Sequence, residues 1–249
     1  MQNNLYGLDI DNRAAQLAYF AVMMKARQYD RRIFSRGIQP HVYAITESNG
    51  LDSNTIDYFA NNDPKLKKDF RTLVDELRDA KEYGSILNIT PVDFAALYAR
   101  VEEVREGISL YRENVLNTVL PLIQVAEVMA RKYDVVVTNP PYMGSGNMDA
   151  TLSEFVKKYY PDSKSDLFAC FIERGNNMVG KARYNCMVTM QSWMFISSFE
   201  KLRESILFHS DITAVMHMET MVLGIAFGTV VSVFRKIRTV QSKGRYSYV

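Results

Sequence analysis

The sequence predicts an α/β protein: a mostly parallel sheet covered by helices, with a mainly helical insertion. Three observations predict it. From residue 133 onward, short runs rich in β-branched and aromatic residues alternate with helical stretches, the pattern of strands joined by crossover helices. A strand-then-helix unit opens the chain at residues 4–24. Between these parts, residues 63–132 are dominated by apolar residues at helical spacing. Residues 1–34 and 133–249 are thereby assigned to the α/β core and residues 35–132 to the insertion.

The elements follow in order. Residues 4–9 (NLYGLD) form a short strand, and Asp11 and Asn12 cap a helix whose apolar stripe is Ala14, Leu17, Ala18, Ala21 and Met24. Residues 35–62 are polar and turn-rich and read as connecting structure. Asp63 and Pro64 open a long charged helix through about Tyr83, with Leu66, Phe70, Leu73 and Leu77 facing inward. Gly84 stops it, and residues 85–89 read as a short strand. Helices at residues 92–106 and 110–132 follow, the second bent at Pro121. Val135, Val136 and Val137 then form a buried strand of the parallel type, ending at Thr138 and Asn139. Helices at 166–178 and 199–209 alternate with strands at 184–190, 212–218 and 228–234.

Bulk properties exclude several classes. An apolar fraction of 47% and a charged fraction of 23% are those of an ordinary globular protein, not of a disordered or fibrous one. A formal charge of +2 is too small to imply a nucleic-acid partner by itself. Cys170 and Cys186 form no Cys-x-x-Cys pair and sit among apolar neighbours, as inert thiols of a reducing, cytoplasmic compartment do. His41, His209 and His217 lack metal-ligand spacing, so no metal site is expected. The opening MQNNLYGLDID is no signal peptide, and the apolar stretch 221–234 is too short to span a bilayer.

The stretch that carries chemistry is YDVVVTNPPY, residues 133–142. An apolar strand ends in a rigid two-proline turn with an aromatic residue at its tip, and open α/β sheets gather ligands at the carboxyl ends of their strands. These residue types suit attack by an aromatic amine. The exocyclic nitrogen of adenine has its lone pair delocalised into the ring. The Asn139 side-chain oxygen and the Pro140 carbonyl can accept its two hydrogens and free that lone pair, and the fixed φ of proline holds the carbonyl in place. Tyr142 can stack on a base swung out of a duplex. Gly144 and Gly146, just beyond, fit either a loop that closes over such a base or a surface turn.

This element resembles the fourth motif of amino-methyltransferases that use S-adenosyl-L-methionine. Residues 6–11 (YGLDID) resemble their second motif, an acid at a strand end. The resemblance implies that Asp9 binds the cofactor's ribose hydroxyls, that Asp11 caps the helix, and that Ser85 contacts the cofactor's adenine. Residues 165–169 through 190–193 resemble the segment that follows the catalytic loop in γ-type adenine enzymes. The GIAFGT run, residues 224–229, lies where that group places a second base-stacking aromatic, here Phe227. More narrowly, LYGLDIDNRAAQLAYFAVMMKAR (5–27), NPPYMGSGNM (139–148) and KSDLFACFIERG (164–175) resemble the PglX methyltransferases of bacterial phage-defence (BREX) systems.

The resemblance implies a Rossmann-like S-adenosylmethionine-dependent methyltransferase sheet and methylation of N6 of adenine in double-stranded DNA with a flipped adenine. It also implies company with other phage-defence proteins and no membrane partner. The family's glycine-rich cofactor loop, which precedes the acid of the second motif, is not found, so the chain is expected to be a partial catalytic domain, incomplete at its N-terminus. Two rival readings stay open. One is an amino-methyltransferase acting on protein glutamine or RNA, which the long separation of Asp9 from Asn139 disfavours. The other is a catalytically silent binding or assembly fragment.

Overall fold

The computed structural model describes residues 1, 3–224 and 226–249 and is of mixed α/β construction, as expected. By packing, the chain divides into two units, Met1–Arg131 and Lys132–Val249.

In the first unit, β1 (Tyr6–Asp9) pairs in parallel with β2 (His41–Ala44). The helix between them, α1 (Asn12–Tyr29), starts where the Asp11 carboxylate accepts the N–H groups of Arg13 and Ala14. Asp11 is therefore the cap, as expected. The expected stripe is not the buried one. Helix α1 buries Ala15 and Met23, while Leu17 and Met24 are exposed, together with Phe20. The run AAQLAYFAVMM is apolar all round the helix, so its periodicity does not select a face.

Residues 35–62, read as connecting structure, hold β2 and a helix, α2 (Ser53–Ala60), capped by Asp52. Tertiary packing makes α2: Phe59 is fully buried, its ring 4.6 Å from that of Phe70. Helix α3 (Pro64–Glu76) begins at Asp63 and Pro64 as expected and buries Leu66, Phe70 and Leu73. It stops before Tyr83, because Asp79 takes a left-handed conformation (φ 52°) secured by two hydrogen bonds with the Asn49 side chain. No strand forms at residues 85–89; Gly84–Ile86 is a short 3-10 turn after a single helical turn, Ala80–Tyr83. Helix α4 spans Phe94–Glu106 and α5 Leu120–Ala130. The irregularity expected at Pro121 lies upstream, as a π-helical turn over Val115–Val119. Pro121 offers no N–H to the preceding turn, and the wider turn absorbs the mismatch.

In the second unit, five strands are ordered β3 (Tyr133–Thr138), β4 (Val179–Met190), β6 (Thr229–Arg235), β5 (Asp211–Met218), β7 (Arg245–Tyr248). Strand β3 is parallel to β4 and β5 to β7, while β6 runs antiparallel to both neighbours. Four strands therefore share one direction. Strand β6 reverses because it follows β5 without a crossover helix. Helices α6 (Ala150–Tyr159), α7 (Leu167–Met178) and α8 (Glu200–His209) complete the unit. Strand β3 is parallel as expected but not buried: it is an edge strand, with Val135 51% and Val137 73% exposed.

The core of this unit joins Phe168 and Ile172 of α7 to Met187, Val230 and Phe234 of the sheet. Cys170 is fully buried, and burial pushes its thiol up to about 12; Cys186 is half-buried. Helix α7 approaches β4 through Gly175, where a Cβ would lie 2.6 Å from the Asn185 and Met187 side chains. Asn185 is held there by hydrogen bonds to the Ile172 carbonyl and the Asn176 side chain. Gly175→Ala should therefore lower stability by about 1–3 kcal/mol through overpacking. Urea unfolding followed by circular dichroism measures it, and an unchanged midpoint would mean that the Asn185 amide has room to retreat.

Candidate active site

Strand β3 runs out at Thr138, and the next residues leave the sheet at its carboxyl end. Pro140 is buried, Asn139 and Pro141 are exposed, and Tyr142 is half-buried. The Tyr142 hydroxyl donates to Asn139 Oδ1 at 3.0 Å and also lies 3.2 Å from the Val188 carbonyl of β4. Its ring meets Phe168 edge-on at 6.2 Å and Phe227 edge-on at 5.7 Å. Burial raises the Tyr142 phenol above its usual range, so it remains a neutral donor. The structure thus brings Asn139, Pro140, Tyr142 and Phe227 together. Ile225 of the GIAFGT run lies outside the described residues.

The loop is tied down beyond Tyr142. Met143 N–H donates to Asp166 Oδ1 at 3.0 Å, Leu167 N–H to the Met143 carbonyl at 3.0 Å, and Ser145 N–H to the Ser165 carbonyl at 3.0 Å. Residues Ser145–Asn147 form a 3-10 turn. Close by, the Gln191 side-chain amide fills the space where Gly228 would carry a side chain and shares a hydrogen bond with His217 through its Oε1, while the Gln191 backbone N–H donates to the Gly228 carbonyl.

The first unit places its two candidates at one end of β1. Asp9, half-buried at the strand's carboxyl end, accepts the Asp11 N–H on Oδ1 at 2.9 Å; its Oδ2 has no partner among the described residues. The turn Gly84–Ile86, which carries Ser85, packs against β1. Such an oxygen, half-exposed at a parallel strand's end, suits a ligand that donates hydroxyl hydrogens.

Sequence reasoning gave no role to Asp166 or Phe168. Their signal was present, since Ser165-Asp166 before an apolar run is a helix-start pattern, but a cap that also holds a distant loop is not visible in one segment.

Residues 3–222 match the model of the Eco57I restriction-modification methylase family, and the chain belongs to that family. Two curated relatives are similar along most of it. The adenine-specific methyltransferase BrxX of Escherichia coli O9:H4 (strain HS) is 37% identical over 257 residues, covering 93% of this chain and 21% of that protein. The adenine-specific methyltransferase PglX of Lacticaseibacillus casei (strain Zhang) is 39% identical over 210 residues, 82% of this chain and 17% of that protein. The chain thus spans about a fifth of the length of the curated relatives it matches. The expected likeness to PglX methyltransferases holds. Among solved structures, the ATP-dependent Type ISP restriction-modification enzyme LlaBIII bound to DNA aligns with 99% of this chain and 18% of its own, at a TM-score of 0.47 and 13% identity.

The packing of Tyr142 separates ring from hydroxyl. Tyr142→Phe keeps both edge contacts and should change folding stability by no more than about 1 kcal/mol. Tyr142→Ala opens a gap between Phe168 and Phe227 and should cost about 2 kcal/mol. Denaturant titration of both variants checks this; equal losses would mean that the hydroxyl, not the ring, is the anchor.

Proposed function

We propose that this chain carries the amine-accepting loop of an N6-adenine DNA methyltransferase that uses S-adenosyl-L-methionine and serves a phage-defence system. The observation that carries the reading is the cluster at the end of β3: an exposed carboxamide, a proline and the Tyr142 ring in one loop, with the Phe227 ring brought against Tyr142 from the connection before β6. In this reading Asn139 Oδ1 and the Pro140 carbonyl accept the two hydrogens of the adenine amine, and the nitrogen lone pair turns toward the donor. Tyr142 stacks on the flipped base, with Phe227 as the second aromatic wall. The cofactor, when bound, would supply an electrophilic methyl group; Asp9 would hold its ribose hydroxyls and Ser85 would contact its adenine. The adenine-specific names of both relatives support the choice of base.

The Tyr142 hydroxyl occupies one lone pair of Asn139 Oδ1 and leaves the second for the substrate amine. Asn139→Ala should therefore reduce transfer by more than a hundredfold, on the order of 3 kcal/mol, and leave cofactor affinity unchanged. The assay is transfer of a labelled methyl group to adenine in duplex DNA by a polypeptide of the relatives' length that contains this chain, with peptide and RNA as alternative acceptors. Near-normal turnover, or label on peptide or RNA instead, would remove the reading.

Among the described residues β3 has a partner on one side only, and the apolar Val135 and Val137 of this edge strand are exposed, which invites pairing with another chain. The isolated chain should therefore self-associate. Analytical ultracentrifugation decides; a monomeric chain at micromolar concentration would contradict this expectation.

A further inference from the structure

Asp166 does two things with one oxygen. Its Oδ1 accepts Phe168 N–H at 3.3 Å, capping α7, and Met143 N–H at 3.0 Å, the residue that follows Tyr142. The neighbouring backbone repeats the tie: Leu167 N–H to the Met143 carbonyl, Ser145 N–H to the Ser165 carbonyl, and a bridge between Gly144 and Asp166. Helix α7 is a firm base for such a tie, because its Phe168 and Ile172 are fully buried in the core and it packs on β4 through Gly175. Phe168, two residues beyond Asp166, is also one of the two rings that hold the Tyr142 ring. The orientation of Tyr142 is thus fixed from both ends of a short circuit, through Met143 by the carboxylate and through the ring by Phe168.

The alternative is that Asp166 is a helix cap and nothing more. A cap needs only the Phe168 N–H. The bond to Met143 crosses to another segment, and among the described residues the Asp166 side chain is the sole acceptor for that N–H. Burial also pushes the Asp166 carboxyl above the usual carboxylate range, against backbone hydrogen bonds that pull it down. The hydrogen bonds from Phe168 and Met143 are thus what favours the charged form at this site.

We propose that Asp166 is the positioning residue of the acceptor loop: by gripping Met143 it sets where Pro140 and Tyr142 present carbonyl and ring, without touching substrate. The catalytic consequence rests on the reading of this loop given above; the consequence for loop order does not.

The test uses three substitutions. Asp166→Ala removes the acceptor, Asp166→Asn keeps a side-chain oxygen at the same place, and Asp63→Ala removes the cap of α3 as a control for a lost cap alone. In the chain, amide hydrogen exchange at Met143 and Ser145 should rise about tenfold or more in Asp166→Ala. It should stay at the wild-type rate in Asp166→Asn and in Asp63→Ala. In a relative-length polypeptide, Asp166→Ala should lower kcat on the order of tenfold to a hundredfold, with KM for DNA unchanged; Asp166→Asn should restore it. Wild-type exchange at Met143 in Asp166→Ala, or a raised KM with unchanged kcat, would overturn the proposal. So would raised exchange with unchanged transfer, or failure of Asp166→Asn to rescue in a folded protein. If even the unsubstituted polypeptide transfers no methyl group, the functional reading fails, and the exchange result alone decides whether Asp166 sets the loop.

Discussion

The arrangement at Asn139 depends on the parallel pairing of β3 with β4. The register that sets Val137 beside Cys186 and Thr138 beside Met187 brings both strands to their carboxyl ends at one edge of the sheet. Because the pairing is parallel, the chain between them must cross back over a face, and α7 is the last element of that crossing. The N-terminus of α7 then lies at the edge where β3 ends, and this is why a cap on α7 can also hold the loop after β3. Gly175 lets α7 settle closely on Asn185, and so the position of the cap depends on a glycine far along the same helix.

Much of this was legible. Asn139-Pro140-Pro141-Tyr142 after a valine-rich strand names its own place, because proline cannot continue a strand and the strand's composition needs no partner to be read. The caps Asp11 and Asp63 were equally plain, since capping is decided within three residues. What was not legible depends on partners distant in sequence. Residues 41–44 (HVYA) become a strand because β1 lies alongside, and α2 exists because Phe59 finds Phe70. Apolar residues fall on every side of the middle of helix α1, and only its packing shows that Ala15 and Met23, not Leu17 and Met24, face inward. The valines of β3 were read as buried on composition, yet burial needs neighbours on both sides and β3 has one.

Tyr142 combines requirements that compete in a simpler site. Its ring is wedged against Phe168 and Phe227 in edge-on contacts, the geometry that the charge distribution of aromatic rings favours. An edge contact leaves a ring face available, which a stacked pair would have covered. The hydroxyl, neutral and partly desolvated, hydrogen-bonds the Asn139 oxygen and steadies the carboxamide without consuming its acceptor capacity. A phenylalanine would keep the first property and lose the second; a leucine would lose both.

The apolar groups left in solvent carry the last step of the argument. Isolated exposed apolar residues are ordinary on any protein surface. Leu17, Phe20 and Met24 are different, for they recur at helical spacing on one side of α1 and are all exposed. Val135 and Val137 are different too, since they alternate along one face of an edge strand whose second edge is unpaired. A strand or helix evolved to face water carries charge at such positions, and this chain does so elsewhere: α3 alternates its buried leucines with Lys65, Lys67, Lys68, Asp69 and Arg71. The contrast lies within a single polypeptide. It sets the α1 stripe and the β3 edge apart from the charged surface of α3, and it places Asn139 directly after the strand whose second edge is unpaired among the described residues.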